Sequence, residues 1–142
     1  MTRISLGFVV MIAAMGAVTG GAYGQEASED TTLSASGDAV SGQNVFRKCQ
    51  ACHNPGASVT YKPGPNLDKI FGRVAGMETN YKGYSKALKE SAIIWSETLL
   101  DQWLSNPQNF LPGNKMPFAG IRSAQDRADL MAYLREATEA GQ

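Results

Sequence analysis

The chain has 142 residues, of which 43% are hydrophobic and 18% charged, a balance typical of a globular protein of about one domain. Its 13 Lys and Arg residues match its 13 Asp and Glu residues. This zero net charge argues against a nucleic-acid-binding protein, which needs a basic face.

The N-terminal segment has the layout of a secretory signal peptide. Arg3 precedes a run rich in Val, Ile, Ala, Met and Gly, and the small residues Ala22 and Gly24 are spaced as in a cleavage site. The apolar run is short and Gly-rich, which suits a permanent transmembrane helix poorly. We therefore expect a cleaved signal peptide at 1–24 and export to the periplasm. The alternative is an uncleaved N-terminal anchor that holds the protein at the membrane.

The next segment, 25–40, is acidic, rich in Ser and Thr and nearly free of large apolar side chains, so it is predicted to be a flexible leader. The folded domain is then expected at 41–142. Loss of 1–24 removes Arg3 and no acidic residue, which leaves the mature chain with a small net negative charge. Because a domain of about 100 residues buries only a small core, we expect a bound group to fill its centre.

Helical patterns dominate the predicted domain. The expected helices cover 41–53, a short piece at 67–72, 85–92, 95–105 and 123–137. Ser85 and Ser96 are predicted N-caps, and Ser123 with Asp126 resembles a capping box. The Pro- and Gly-rich segments between them predict loops. No segment shows sustained alternation of period two, so the predicted fold class is all-α with long loops.

Both cysteines and the only histidine lie within five positions, as Cys49, Cys52 and His53. On a helical turn the two thiols lie about one turn apart on the same side, where each can add to a vinyl group of one haem. C-x-x-C-H is the pattern of c-type haem attachment, with the histidine bound to the iron.

Three alternatives compete with haem attachment. A structural zinc site would need a fourth ligand. A thioredoxin-like redox pair would need a βαβ setting, and a structural disulfide closing so small a loop would stabilise little. We therefore predict one haem c, with its iron, held covalently through two thioethers.

The second axial ligand of the iron must be something other than His or Cys, because the motif uses all of them. Met, Lys, Tyr, water or no ligand stay open. Met116 lies in LPGNKMPF, where prolines on both sides hold the loop extended, and we favour it over Met77 in a polar loop. Met131 is expected to pack in the last helix. His/Met ligation raises the potential of a haem iron and leaves no open position, which indicates electron transfer.

From about residue 42 to 137 the chain resembles the class I cytochrome c family, close to its mitochondrial and bacterial periplasmic members. The motifs that carry the resemblance are GQNVFRKCQACH, GPNL, FGR, IIW, SNP, PGNKM and DLMAYL, which stand in the family's order. The resemblance implies a small fold of about five helices and long loops wrapped around one covalently bound haem. It also implies thioethers at Cys49 and Cys52, and His53 and Met116 as axial ligands.

The resemblance implies further roles. Gly42 and Phe46 should pack the first helix against Tyr133 of the last helix. The Pro65 carbonyl should accept a hydrogen bond from the ring of His53. The buried haem propionates should be bound by Arg73, Tyr84 and Trp95.

The chain also departs from the animal members of the family. It has one residue more between Arg73 and Tyr84. Three positions differ in residue type. Tyr61 replaces a frequent His, and Trp103 replaces a frequent Tyr near the methionine sulfur. Leu88 replaces a polar residue near the haem. An indole can donate a hydrogen bond through its ring nitrogen, but with a different geometry from a phenol.

The predicted function is one-electron transfer by a monomer and not enzyme catalysis, with a haem peroxidase or the haem subunit of an enzyme as the alternative. Expected partners are redox proteins of a respiratory chain, such as a cytochrome bc-type complex and a terminal oxidase, and neither nucleic acid nor a small-molecule substrate. They should dock transiently at an exposed haem edge. The basic residues expected near that edge are Lys48, Lys62, Lys115 and Arg122.

Overall fold

The computed structural model describes residues 36–139. The predicted signal peptide, 1–24, and the predicted leader as far as residue 35 lie outside the described residues. Within 36–139 there are five helices and no strand: α1 (Ala39–Phe46), α2 (Lys86–Glu90), α3 (Glu97–Ser105), α4 (Pro107–Phe110) and α5 (Ala124–Glu139). A single antiparallel bridge joins Val74 to Ile94. The all-α prediction is confirmed for this part of the chain, and none of its helices has the length and apolar character needed to cross a membrane.

Helix α1 begins slightly before the predicted domain boundary at residue 41. The side chain of Asp38 caps it by accepting the backbone N–H of Ser41 at 2.7 Å. The N–H of Asp38 donates in turn to the buried carboxylate of Asp129 in α5 at 2.9 Å. Composition alone places Asp38 in the leader, but this pair of hydrogen bonds makes it part of the helical fold.

Helices α1 and α5 cross at Gly42. A Cβ atom on this residue would lie 2.6 Å from the backbone carbon of Asp129 and 2.8 Å from the Cβ of Tyr133. Only glycine therefore allows the two helices to approach this closely. One turn further on, the rings of Phe46 and Tyr133 pack with their centroids 5.2 Å apart. The packing that the family resemblance implies for this crossing is confirmed.

The predicted N-caps are confirmed. The hydroxyl groups of Ser85 and Ser96 accept the backbone N–H three residues further on, at 3.1 and 3.2 Å. Ser123 caps α5 in the same way, by accepting the N–H of Asp126 at 3.1 Å. Each cap satisfies an N–H that has no partner inside its helix.

Two local predictions are wrong. The segment 67–72 forms turns and no helix, because Lys69 adopts a left-handed backbone with φ of 47°, and its N–H donates to the distant carbonyl of Thr138 at 3.0 Å. Conversely, α4 lies in a segment predicted as loop. The side chain of Asn106 caps it by accepting the Asn109 N–H at 3.1 Å, and Pro107 occupies the first helical position, where its missing N–H costs nothing.

The core lies between α1, α3 and α5 and the loops that join them. Its members are apolar side chains with less than a tenth of their surface exposed: Phe46, Ile70, Trp95, Leu100, Trp103, Leu104, Ile121, Leu130, Met131 and Leu134. Most of these side chains also form the wall of one cavity, which they share with residues of the loops.

Candidate functional site

The C-x-x-C-H residues follow α1 on a tight turn. The predicted helix over 41–53 ends at Phe46, but the carbonyl oxygen of Cys49 accepts the backbone N–H groups of both Cys52 and His53, each at 2.9 Å. These hydrogen bonds preserve one helical turn locally. As a result, both thiols and the imidazole line the same cavity.

The cavity has a volume of about 390 Å³, within the range of roughly 300–1,000 Å³ typical of cofactor and ligand pockets. Its wall is mainly apolar and comes from helices and loops along the whole described chain. The apolar side chains that form it include Phe46, Leu67, Ile70, Leu88, Trp95, Leu100, Trp103, Leu104, Leu130 and Leu134. A flat apolar group could therefore complete the core.

Cys49 and Cys52 form no disulfide with each other and are half-buried. Burial raises the pKa of the Cys49 thiol to about 11, so this group keeps its proton at neutral pH. Redox-active C-x-x-C pairs have a lowered pKa instead, and the described residues include no βαβ unit. No group of three or more His, Cys, Asp and Glu residues within 36–139 is placed to hold a metal ion. The raised pKa of Cys49 and the all-α setting favour haem attachment over a redox-active pair.

His53 is held in one orientation. Its Nδ1 atom lies 2.8 Å from the carbonyl oxygen of Pro65, as the family resemblance implies. Since a carbonyl oxygen can only accept, Nδ1 carries the proton and the lone pair of Nε2 stays available for a metal. Burial lowers the pKa of His53, which favours the neutral ring that a metal requires. Gly64 backs the ring so closely that a Cβ atom there would lie 2.8 Å from Nδ1.

The three described methionines occupy different environments. Met116 is half-buried and lines the cavity together with Cys49, Cys52 and His53. Met77 is 65% exposed, and Met131 is buried in the core, and neither contributes to the cavity wall. The structure therefore brings Met116 to the site and leaves Met77, the competing methionine, outside it.

The loop of Met116 is fixed by two side chains to which no sequence motif assigns a role. The buried amide of Asn114 accepts the Met116 N–H at 3.0 Å, and Gln108 donates to the Met116 carbonyl at 2.9 Å. The only sequence signal for Asn114 is its position after Gly113 in a tight turn, where Asn is common. The burial that makes it important depends on the packing of the whole loop.

The residues expected to bind the propionates also lie on the cavity wall. Arg73 donates to the carbonyl oxygens of Asp68 at 2.7 Å and of Asn66 at 2.9 Å, which holds its guanidinium in place. Burial raises the pKa of Tyr84, so its phenol stays a hydrogen-bond donor. With the buried Trp95, this wall offers donor groups that can satisfy carboxylates.

Trp103 and Leu88, which depart from the animal sequences, line the cavity as well. Trp103 belongs to an aromatic cluster with Trp95 and Phe110, at ring centroid distances of 5.6 and 5.9 Å. These contacts explain its burial by packing alone. Its departure from the usual Tyr therefore does not leave a gap in the wall.

The four basic residues expected near the haem edge are placed unequally. Lys48 and Lys115 lie at the cavity, and Lys48 also pairs with the carboxylate of Asp126 at 3.6 Å. The ammonium group of Lys62 donates to the backbone carbonyl oxygens of Gln50 and His53. Arg122 is exposed and does not line the cavity. The structure therefore groups the three lysines with the motif and leaves Arg122 apart.

A haem fits this arrangement. Two thiols, an imidazole with a free Nε2 and a thioether sulfur line one apolar cavity, with an arginine and phenol donors on its wall. Soft and imidazole ligands of this kind suit haem iron, and the apolar wall suits the macrocycle. Fold and site together define a small all-α protein of the c-type haem class.

Comparison with known proteins narrows this class. The sequence profile of the family described as Cytochrome c matches residues 39–138. The chain is 47% identical to a cytochrome c of Chlamydomonas reinhardtii over 103 residues, covering 72% of this chain and 91% of that protein. It is 42% identical to a cytochrome c2 of Rhodomicrobium vannielii over 108 residues, covering 76% and 84% of the two chains.

A solved structure agrees with these sequence relatives. Cytochrome cH from Methylobacterium extorquens superimposes with a TM-score of 0.65 at 38% identity, covering 70% of this chain and 98% of that one. The chain belongs to the cytochrome c family. It is a c-type cytochrome with covalent haem c and its iron, and it acts as an electron carrier between redox partners.

Proposed function

We propose that this cytochrome c is a one-electron carrier whose haem iron is bound by His53 and Met116. The observation that carries the proposal is that both side chains line the cavity into which Cys49 and Cys52 face. When bound, haem c supplies an iron that changes reversibly between its ferrous and ferric states. Cys49 and Cys52 would hold the group through two thioether bonds.

His53 would bind the iron through Nε2. Its Nδ1–H donates to the carbonyl of Pro65 at 2.8 Å, which fixes the tautomer and raises the basicity of the ring. Gly64 leaves room for this ring position, since any side chain there would collide with the imidazole. The turn after α1 therefore presents a ligand that does not need to reorganise when the charge of the iron changes.

Met116 would bind the iron as a neutral thioether, which raises the potential of a haem iron. Asn114 and Gln108 hold the backbone of Met116 on both sides of its Cα atom. Asn114 accepts from the Met116 N–H, and Gln108 donates to the Met116 carbonyl. A sulfur bound at this position occupies the site that a peroxidase needs to keep open for its substrate. The proposed ligand set therefore supports electron transfer and not catalysis.

Redox partners would dock near the lysines that lie with the motif. Lys48 and Lys115 are at the cavity and Lys62 is held against the turn of His53. Part of the charge of Lys48 is offset by Asp126, so the attraction of an acidic partner should be modest and weakened by salt. A cytochrome bc-type complex and a terminal oxidase are partners that fit this picture, with the carrier as a monomer.

We also infer a periplasmic location, from the signal-peptide layout of 1–24. Mass spectrometry of the protein purified from its own cells would give the N-terminus of the mature chain. A mass that includes 1–24 would instead indicate a membrane anchor on the same periplasmic domain.

The ligand assignment is tested by visible spectra of the purified protein, oxidised and reduced, together with a denaturing gel stained for haem. Haem that stays on the chain, sharp low-spin bands and the weak ferric band of a methionine–iron bond are expected. This ferric band should vanish in Met116→Ala and persist in Met77→Ala, a matched control because Met77 is exposed and outside the cavity.

Two results would contradict the proposal. A ferric band that persists in Met116→Ala would remove Met116 as the ligand. Rapid turnover of peroxide by the wild-type protein with its methionine band intact would show that catalysis does not need an open position, and would support the alternative of a haem enzyme.

A further inference from the structure

Two loops at the cavity, 54–66 and 75–84, are joined by two phenol hydrogen bonds. Tyr81 donates to the carbonyl oxygen of Pro63 at 2.5 Å, and Tyr61 donates to the carboxylate of Glu78 at 3.0 Å. The first pair lies on the cavity of the C-x-x-C-H motif, whereas Tyr61 and Glu78 line a separate polar cavity of about 170 Å³. The two bonds therefore join the same loops at chemically different places.

The bond of Tyr81 reaches the short segment that holds His53. In the sequence Pro63–Gly64–Pro65 the two prolines have no N–H, and the Gly64 N–H donates to the carbonyl of Cys52 at 2.8 Å. The Pro65 carbonyl accepts from His53, and the Pro63 carbonyl accepts from Tyr81. Of these three hydrogen bonds, the one from Tyr81 connects the segment 63–65 to the loop 75–84.

The phenol ring of Tyr81 is held in place by close contacts on two sides. Its ring packs edge-on against Tyr84, with the centroids 4.9 Å apart and the planes at 82°. On another side a Cβ atom at Gly83 would lie 2.6 Å from Cζ of the Tyr81 ring. The absence of a side chain at Gly83 therefore lets the phenol turn back toward Pro63.

We propose that Tyr81 is a positioning residue for His53. Its hydroxyl holds the segment of Pro63 in place, so that the carbonyl of Pro65 stays on the Nδ1–H of the imidazole. The proposal rests on the proposed function, because Tyr81 would affect the reduction potential only through the iron that His53 would bind. Tyr81 thereby sets the basicity of the imidazole from outside the motif.

The test uses the intact holoprotein with Tyr81→Phe, which keeps the ring and its packing and removes only the hydroxyl. The exchange rate of the His53 Nδ1–H, measured by NMR, should rise about tenfold, the equilibrium equivalent of one net hydrogen bond. The reduction potential should also rise, because a less basic imidazole stabilises the ferric iron less.

Tyr61→Phe is the matched control, since it removes the same group from the same pair of loops and leaves Pro63 untouched. In Tyr61→Phe the exchange rate of the His53 Nδ1–H should stay within about twofold of wild type, a change worth less than half of a net hydrogen bond. The proposal is overturned if Tyr81→Phe exchanges at the wild-type rate. It is also overturned if both variants accelerate equally, because the effect would then come from loop pairing in general.

The outcome is separable from that of the proposed function. The ferric methionine–iron band of the wild-type protein is recorded first. Absence of this band would contradict only the assignment of Met116 as iron ligand. The exchange comparison would still decide the role of Tyr81, since the Nδ1–H of His53 exchanges whether or not Met116 binds the iron.

Discussion

The buried side chain of Asn114 accepts a hydrogen bond from the backbone N–H of Met116 at 3.0 Å. The amide group of the same side chain donates to the carbonyl oxygens of Pro107 and Leu111, both at 2.9 Å. One short polar side chain therefore anchors the loop of the proposed iron ligand to helix α4. Loss of this side chain would free the loop and leave buried polar groups unpaired.

We predict that Asn114→Ala lowers the free energy of unfolding by about 2–3 kcal/mol, the cost of leaving buried hydrogen-bonding groups without partners. The ferric methionine–iron band should also disappear at a lower temperature than in the wild-type protein, because the ligand loop is less restrained. Denaturant unfolding gives the first quantity, and a thermal scan of the visible spectrum gives the second.

Asn109→Ala serves as the control for this prediction. Asn109 is exposed in the short helix α4, so its side chain should contribute less than about 0.5 kcal/mol. If the two variants lost similar amounts of stability and kept the same thermal profile of the ferric band, Asn114 would have no special role in holding the loop.

The crossing of α1 and α5 gives a second prediction. Gly42→Ala should lower the free energy of unfolding by about 3 kcal/mol, at the upper end of the usual cost of overpacking, because the new methyl group meets the backbone of Asp129. This loss would occur although Ala favours a helix over Gly by about 1 kcal/mol. Guanidinium unfolding measures it, with Gln43→Ala on the exposed side of α1 as the control. A stabilised Gly42→Ala variant would mean that the two helices can separate freely.

The sequence predicts the parts of this fold that depend on near neighbours in the chain. Ser85, Ser96 and Ser123 each bond to an N–H three residues away, so a local pattern is sufficient to find them. The C-x-x-C-H motif is equally local, since its three side chains share one turn. The all-α class follows from the same kind of periodicity.

The errors arise where a distant partner decides the backbone. The segment 67–72 has a helical pattern, but the N–H of Lys69 bonds to Thr138 and that of Gly72 to Trp95, and neither contact is visible in a local window. The sequence does not predict helix α4, because Asn106 both ends α3 and caps the next helix. For the same reason no local signal reveals the burial of Asn114. The preference for Met116 over Met77 as iron ligand rests on a local signal, the proline-flanked loop, and stays a prediction.

A third prediction concerns acid. The hydrogen bond from the Ser41 backbone lowers the pKa of Asp38 below its usual value. A group whose pKa is lower in the folded state stabilises the fold above its unfolded pKa, near 3.8, and this contribution is lost as the pH falls through the folded pKa. Asp38→Asn should therefore be less stable than wild type at pH 7, and the difference should shrink steadily below pH 4.

Urea unfolding at several pH values measures the difference in this third prediction. Glu136→Gln, which neutralises an exposed acid in α5, is the control for loss of a charge alone. A constant difference between Asp38→Asn and wild type from pH 7 to pH 2 would show that the carboxylate charge contributes nothing to the cap.

The last prediction compares two ion pairs. Arg127 in α5 bonds to Asp101 in α3 at 2.7 Å with its side chain only 13% exposed, and its guanidinium also donates to the Ile121 carbonyl at 2.9 Å. The pair of Lys86 and Glu90 is 3.9 Å apart on the surface of α2, with side chains 85% and 65% exposed.

A double-mutant cycle to Ala should give a coupling energy of about 1 kcal/mol for Arg127 and Asp101, because the arginine is largely shielded from water while the aspartate is not. The same cycle on Lys86 and Glu90 should give about 0.3 kcal/mol or less, as for other exposed pairs one helical turn apart. High salt should reduce the surface coupling more than the shielded one. Equal couplings, or equal sensitivity to salt, would mean that the shielding of Arg127 adds nothing to its attraction to Asp101.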